Sequence, residues 1–360
     1  MRILSIILGA VAIITTALPI TRHPGWWVRI WDFPRIQIAV LGTIAIVVFV
    51  FSGSVSSPLE IVFIVFVASS VGFQAYMIYP YTRLVLPQTQ RTQDPDPDNT
   101  ISVLFANVLM DNRNVTALKD IVRKADADVI LLVETDDWWL ESIREEFSDH
   151  PFTVLHPLDN TYGMLLFSRL ELIDPEVQFL VNECVPSIHC RVRLRSGQEL
   201  QMRCIHPPPP IYGEAVSAEP RDAELIIVGK QNRGNDAPFI VFGDLNDVAW
   251  SRTNYMFQDI SGLLDPRIGR GFYSTFHAKI PFLKMPLDHL FHSNHFRLVE
   301  FRRLGYFGSD HFPVFVKLCL EADAPYVQEE PSPTNGELAE AKEKLKYLDH
   351  ADPGDINTRE

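Results

Sequence analysis

Phe239-Ile240-Val241-Phe242-Gly243-Asp244-Leu245-Asn246-Asp247 is the stretch that decides how this chain is read. The apolar run reads as a buried strand, and the glycine, carboxylate and amide then fall at its C-terminal end. Sixty-odd residues later Ser309-Asp310-His311 sets a carboxylate beside an imidazole, just ahead of a second apolar strand, Val314-Phe315-Val316. An Asp, an Asn and an Asp-His pair at strand ends supply hard oxygen ligands and a group that titrates near neutrality. That combination suits hydrolysis of a phosphate ester.

Working outward, short apolar strands alternate with helical patterns from Ile101 on. Strands are expected at Ile101–Phe105, Val129–Val133, Met164–Phe167, His189–Leu194, Leu200–Ile205, Ile240–Phe242, His289–Phe291 and Val314–Leu318. Helices are expected at Thr116–Lys124, Asp137–Phe147 and Ala223–Lys230. Mixed strands with flanking helices indicate an α/β sheet protein. Polar residues gather where the strands end: Asn107, Glu134, His206, Asp244, Asn246, Asp288, Asp310 and His311. Singly, an Asn after a strand is a turn former and a Glu before a helix is a first-turn residue. Eight such residues at equivalent places are a pattern of a different order.

In their order and separations these motifs resemble the endonuclease/exonuclease/phosphatase superfamily, the deoxyribonuclease I-like fold. The motifs are Phe105-Ala106-Asn107, Leu132-Val133-Glu134-Thr135, Ile205-His206-Pro207-Pro208, Gly243-Asp244-Leu245-Asn246, Pro286-Leu287-Asp288-His289 and Ser309-Asp310-His311. The resemblance covers about residues 100–320. It implies an α-β-β-α sandwich of two mixed β-sheets, a divalent cation (Mg²⁺, with Mn²⁺ as the other choice), and in-line attack of water on phosphorus. The expected metal residues are Asn107, Glu134 and Asp310. His311 is a candidate general base, oriented by Asp288. Asp244 aligns the attacking water, and the role of base is open between Asp244 and His311. Asn246 and His206 are expected to donate to the non-bridging oxygens. Tyr162, Trp250 and Thr275 are weaker candidates for the substrate cleft. No G-x-S-x-G, Walker loop or dinucleotide fingerprint is present.

The N-terminal part is of another kind. Three apolar runs, roughly Ile3–Ile20, Ile36–Phe51 and Leu59–Tyr79, approach the length of a bilayer span. Trp26, Trp27 and Trp31 lie between the first two with Arg22, Arg29 and Arg35, a mixture that fits the headgroup region. The reading is a membrane-anchored, bacterial-type member with three transmembrane helices, and the bias of arginines favours a cytoplasmic catalytic domain. Residues 1–87 form the anchor, 88–99 an unpacked linker, 100–321 the catalytic domain and 322–360 an acidic, mostly disordered or peripheral tail.

Charge follows these divisions. Residues 1–98 hold 6 Lys/Arg and 5 Asp/Glu, residues 99–321 hold 22 and 30, and residues 322–360 hold 4 and 10. An acidic catalytic region argues against tight non-specific binding to nucleic acid, which depends on neutralising phosphates. None of the four cysteines forms a C-x-x-C pair, which argues against zinc; Cys184 and Cys190 are near enough to bond if the chain reverses between them. The expected function is a membrane-anchored, metal-dependent phosphoesterase acting on a lipid-linked or small phosphoester, with the lipid bilayer as a partner. The rivals are a metal-dependent nuclease, with nucleic acid as substrate, and a non-catalytic membrane binding module.

Overall fold

A computed structural model describes residues 1–53, 55, 57–211, 215 and 217–349. Strands are numbered along the chain: β1 (Thr100–Asn107), β2 (Val129–Val133), β3 (Phe152–His156), β4 (Met164–Ser168), β5 (Glu171–Gln178), β6 (Ser187–Arg193), β7 (Glu199–Cys204), β8 (Phe239–Asp244), β9 (Asp288–His292), β10 (Phe296–Arg303) and β11 (Val314–Leu320). They form two sheets, in the orders β10-β11-β1-β2-β4-β3 and β5-β6-β7-β8-β9. β1 and β2 are parallel, as are β7 and β8, and the other pairs are antiparallel. Both sheets are therefore mixed, as expected.

Alternation along the strands builds the layers. In β1, Val103 and Phe105 face the second sheet, where they meet Ile240, Phe242 and Leu290. Leu104 and Ala106 face outward onto Leu118, Val122 and Ala125 of α5 (Val115–Ala125) and Trp139 of α6 (Asp137–Ile143). On the far side, Val241 of β8 packs on Leu225 and Val228 of α7 (Glu219–Asn232) and Phe257 of α8 (Arg252–Ser261). The result is helix, sheet, sheet, helix.

Three strands have no counterpart in the sequence reading: β3, β5 and β10. All three are sheet edges. An edge strand meets solvent along one side, so it needs no continuous apolar run. β5 shows this most clearly, with its middle residues exposed.

The N-terminal helices are α1 (Arg2–Ile20), the single turn α2 (Trp26–Arg29), α3 (Arg35–Phe51) and α4 (Pro58–Ile78). α1 and α4 are each long and apolar enough to cross a membrane. α3 qualifies only together with the Trp26–Asp32 segment, which is bent from it by 74°. Two or three helices thus suit a bilayer, and many of their apolar side chains, including Ile7, Ile44 and Phe66, face outward. Inside the bundle, Arg35 donates to Gln74 (3.0 Å) and Gln74 to Thr16 (2.9 Å).

This bundle is docked on the sandwich. Tyr81, fully buried, donates to the Ala249 carbonyl (2.7 Å); Trp250 Nε1 donates to the Asp32 carbonyl (3.0 Å); Arg29 donates to Thr253 Oγ1 (2.9 Å). The 88–99 segment, expected to be unpacked, pairs with the edge of the first sheet and also contacts the second. Thr92 N donates to the Leu298 carbonyl, Leu298 N to the Gln90 carbonyl, and Thr89 shares a buried hydrogen bond with His292. Its backbone continues the edge at β10, which compensates for its polar composition.

In the tail, α9 (Asn335–Leu345) seats Ala341 against Ile226, Met256 and Ile260, and Lys344 donates to the buried Asp222 (2.5 Å). That part is peripheral and ordered. Residues 350–360 of the expected disordered tail lie outside the described residues. All four cysteines are free thiols.

Candidate active site

The two parallel strand pairs end at the same edge of the sandwich. β1 ends in Asn107, β2 runs into Glu134, β8 ends in Asp244, and β9 begins with Asp288 directly opposite Asp244 in the ladder. Sheet geometry thus brings residues distant in sequence into one cluster. The backbone is specialised here. Glu134 and Asn246 both adopt left-handed conformations, with φ of 59° and 51°. Non-glycine residues rarely occupy that region unless their surroundings hold them in it. Gly243, at φ 146°, passes so near the Ile205 carbonyl that an added Cβ would lie 2.0 Å from its oxygen. Only glycine permits β8 to approach the segment carrying His206 this closely.

Asn107 joins the two sheets. Its amide nitrogen donates to Glu134 Oε1 (2.6 Å) and Asp244 Oδ2 (3.0 Å), while its oxygen accepts from Leu109 N (2.9 Å). Asp244 is held at its other oxygen by Asn246 N (2.9 Å). His311 Nδ1 is 2.8 Å from Asp288 Oδ2, and its Nε2 is 3.6 Å from Asp244 Oδ2. His206 Nε2 approaches the same Asp244 oxygen at 4.0 Å. Two imidazoles therefore converge on one carboxylate. Ser309 Oγ donates to the Asn107 carbonyl (2.8 Å) and accepts from His311 N (3.0 Å), fixing the His311 segment to the end of β1.

Burial dominates the electrostatics. It pushes the Glu134 carboxyl up to about 7, against the hydrogen bond from Asn107. It raises Asp244 likewise, against the pull of His311. It lowers His206 to about 4, with Asp244 opposing. Burial also works against charge on His311, but the Asp288 and Asp244 carboxylates outweigh it and carry this imidazole up to about 10. Two polar atoms in the cluster, His206 Nδ1 and Asp288 Oδ1, are buried without a hydrogen-bond partner. Buried polar atoms are rarely left so unless something polar occupies the space beside them.

The cluster opens into a cleft of about 830 Å³, within the range of ligand sites. Glu134, His206, Asn246, Asp310 and His311 form its polar end. Tyr162 also lines it, with its ring centroid 5.6 Å from that of His206. Asp310 is present at the wall, and its carbonyl accepts from Ala278 N (2.6 Å). Asn246 lines the cleft but gives its side-chain nitrogen to the Pro207 carbonyl (3.0 Å).

Two weaker candidates lie elsewhere. Trp250 is buried at the joint between helices and sandwich, beside Tyr81 and Phe272. Thr275 is buried behind the site, where its Oγ1 accepts from Leu287 N and Asp288 N. It positions the strand that carries Asp288. The sequence reading missed the other half of the cleft. Trp26, Trp27, Ile30, Trp31 and Phe33 form an apolar wall facing the catalytic end. Their only signal in sequence was aromatic richness beside arginines, which reads as membrane contact. Phe276, next to the candidate Thr275 in sequence, does line the cleft, with its ring 5.0 Å from that of His311.

This architecture and site define a two-sheet phosphoesterase-type sandwich, and comparison with known proteins agrees. The sequence model of the Endonuclease/Exonuclease/phosphatase family matches residues 104–311. The chain belongs to that family, whose members are hydrolases acting on phosphoester bonds. Among solved structures, the human Nocturnin catalytic domain with bound sulfate is 16% identical, with 66% of this chain and 100% of that one covered at a TM-score of 0.50. An endonuclease/exonuclease/phosphatase from Beutenbergia cavernae is 18% identical, covering 62% and 72%, at 0.49. A mannosyl-6-phosphatase from Bacteroides thetaiotaomicron is 17% identical, covering 61% and 100%, also at 0.49. No curated protein sequence matches the chain.

Proposed function

We propose that this protein is a membrane-anchored phosphoesterase that hydrolyses a lipid-linked or small phosphoester by in-line attack of water, with a divalent cation bound at Asn107 and Glu134. The observation that carries the reading is the Asp288–His311–Asp244 chain of contacts at the meeting point of two sheets.

The residues present fit a hard cation. Glu134 offers a half-buried carboxyl, which a bound cation would hold in its anionic form, and Asn107 an amide oxygen, if that amide turns over to present it. Asp310 lies at the same wall of the cleft. Asp244, Asp288 and His311 also offer ligand atoms within 4.8 Å of one another. Their closest contact is the hydrogen bond at His311 Nδ1, which ligation through that nitrogen would break, so we assign these three to proton handling instead. A bound Mg²⁺ or Mn²⁺ would polarise the phosphoryl group and offset charge on the leaving oxygen.

The chain's own residues supply the rest. A carboxylate can only accept, so Asp288 fixes the proton of His311 on Nδ1. Nε2, facing the Asp244 carboxylate, is then also a donor, and His311 serves as a cationic hydrogen-bond donor to a non-bridging phosphoryl oxygen. Asp244 is left as the acceptor for the proton of the attacking water. The new bond runs from water oxygen to phosphorus, the bond to the leaving oxygen breaks, and that oxygen takes up a proton. His206 stands where its ring can support the same charge.

The apolar helices support three membrane spans, with α3 and its bent partner counted as one, and the arginine bias supports a cytoplasmic domain. A nuclease reading has less support. Among the described residues lining the cleft none is Lys or Arg, whereas binding to a polynucleotide depends on neutralising phosphates. The complete catalytic set speaks against a pure binding module. The test is hydrolysis by the full chain in detergent, offered an aryl phosphodiester and plasmid DNA with Mg²⁺ or chelator. Metal-dependent turnover of the ester with the plasmid intact supports the reading. Salt-sensitive cutting of plasmid favours the nuclease.

A further inference from the structure

We infer that the cleft is built for an amphiphilic phosphoester whose phosphate sits at the catalytic cluster and whose hydrocarbon chain lies along the wall of Trp26, Trp27, Ile30, Trp31 and Phe33. This rests on the phosphoesterase reading above and assigns its substrate class: a lipid phosphoester taken from the bilayer edge.

The cleft has two chemically different ends. At one end stand the carboxylates and imidazoles described above. The other is tryptophan and aliphatic surface from the segment between α1 and α3, faced by Leu283, Met285 and Leu287 of the segment preceding β9. Nothing in the hydrolysis of a phosphate requires that second half. It would bury apolar surface only if the substrate carries some. A polar phosphoester would leave three indole rings against water at the entrance.

The wall leads to the membrane-suited helices without interruption. Phe33 and Pro34 line the cleft, and the next residue, Arg35, begins α3. Gln37, in the first turns of α3, donates to the Phe282 carbonyl (2.6 Å), which ties the opposite rim to the same helix. Trp27, Ile30, Ile211, Phe282 and Leu283 are large apolar residues left exposed around this opening. Exposed aromatic and aliphatic residues at the end of a helix bundle are what the interfacial region of a bilayer accommodates. A lipid at that level can therefore place its headgroup phosphate in the cluster while its chain remains in apolar surroundings. The described lining carries no Lys or Arg, so the cleft favours one phosphate on a chain over a run of phosphates.

The test uses full-length protein in detergent with a series of nitrophenyl phosphodiesters bearing ethyl, hexyl or dodecyl chains. Each methylene buried is worth up to about fourfold in binding, so the dodecyl-to-ethyl ratio of kcat/KM should exceed roughly 100-fold. Because partition into micelles also favours long chains, the decisive quantity is the change of that ratio in variants measured in the same micelles. Trp27→Ala and Ile30→Ser, both at exposed positions that leave the core intact, should each lower it at least about tenfold. A ratio unchanged in both variants, or near unity in the unaltered protein, overturns the inference. In that event metal-dependent, His311-dependent hydrolysis of the ethyl ester would leave the phosphoesterase reading standing. Loss of all hydrolysis in the unaltered protein would take down both.

Discussion

Asp244 and Asp288 face each other across the β8–β9 ladder, and His311 touches both, at 3.6 and 2.8 Å. Two carboxylates that a sheet register holds opposite one another would repel. The imidazole between them, from a segment anchored to the other sheet through Ser309, resolves that repulsion by carrying charge. The pairing makes the site depend on both sheets at once.

Asp288→Asn should therefore damage catalysis far more than folding. The amide keeps the shape but no longer fixes the charge and tautomer of His311. We expect kcat to fall by about 10²–10⁴, the range of a misplaced proton-handling group, with the thermal midpoint moving little. Steady-state rates on an aryl phosphodiester beside a melting curve check this.

Cation binding should depend on Glu134. Glu134→Gln retains the contact with Asn107 and removes the anionic oxygen. The half-saturating Mg²⁺ concentration for activity should rise at least about tenfold, and direct Mn²⁺ binding should weaken in parallel. Equal affinity in both proteins would show that the cation is held elsewhere.

Removing the N-terminal region should destabilise the sandwich. Tyr81 is fully buried among Val248, Trp250, Met285 and Leu287. Tyr81→Ala should cost about 3 kcal/mol or more, as large-to-small changes in cores do. A chain beginning near residue 99 should melt well below one that retains Tyr81 and Thr89, measured by thermal unfolding of each.

A pH signature should come from Glu224. This carboxyl is buried in α7 with Oε1 lacking a partner, and burial raises it from 4.5 to about 8. The unfolded chain releases this proton near 4.5 while the folded one keeps it to about 8. Its cost is thus absent below pH 4.5, grows as pH rises and levels off above 8. Glu224→Gln should match the parent protein at pH 4.5 and be more stable by a few kcal/mol at pH 8. Denaturant melts at the two pH values check both sign and size.

Much of this site was legible because strand-end residues are marked by what precedes them. Buried runs such as Val129–Val133 and Phe239–Phe242 announce strands, so Glu134 and Asp244 fall at strand ends by counting. What could not be read depends on contacts between distant segments. Trp250 and Trp31 look alike in sequence, yet one is buried at a joint and the other lines the cleft, because that choice is made by how the helices dock. Edge strand β5 was hidden because its middle faces water, and the 89–92 segment because backbone pairing and polar side-chain contacts, not an apolar run, hold it in place.

The decisive measurement is the rate at which full-length protein hydrolyses an aryl phosphodiester with Mg²⁺, with chelator, and as His311→Ala. Metal-dependent catalysis through His311 gives turnover with Mg²⁺ that chelator abolishes and that falls by at least about 10² in the variant. Turnover that survives either the chelator or the loss of His311 would contradict it.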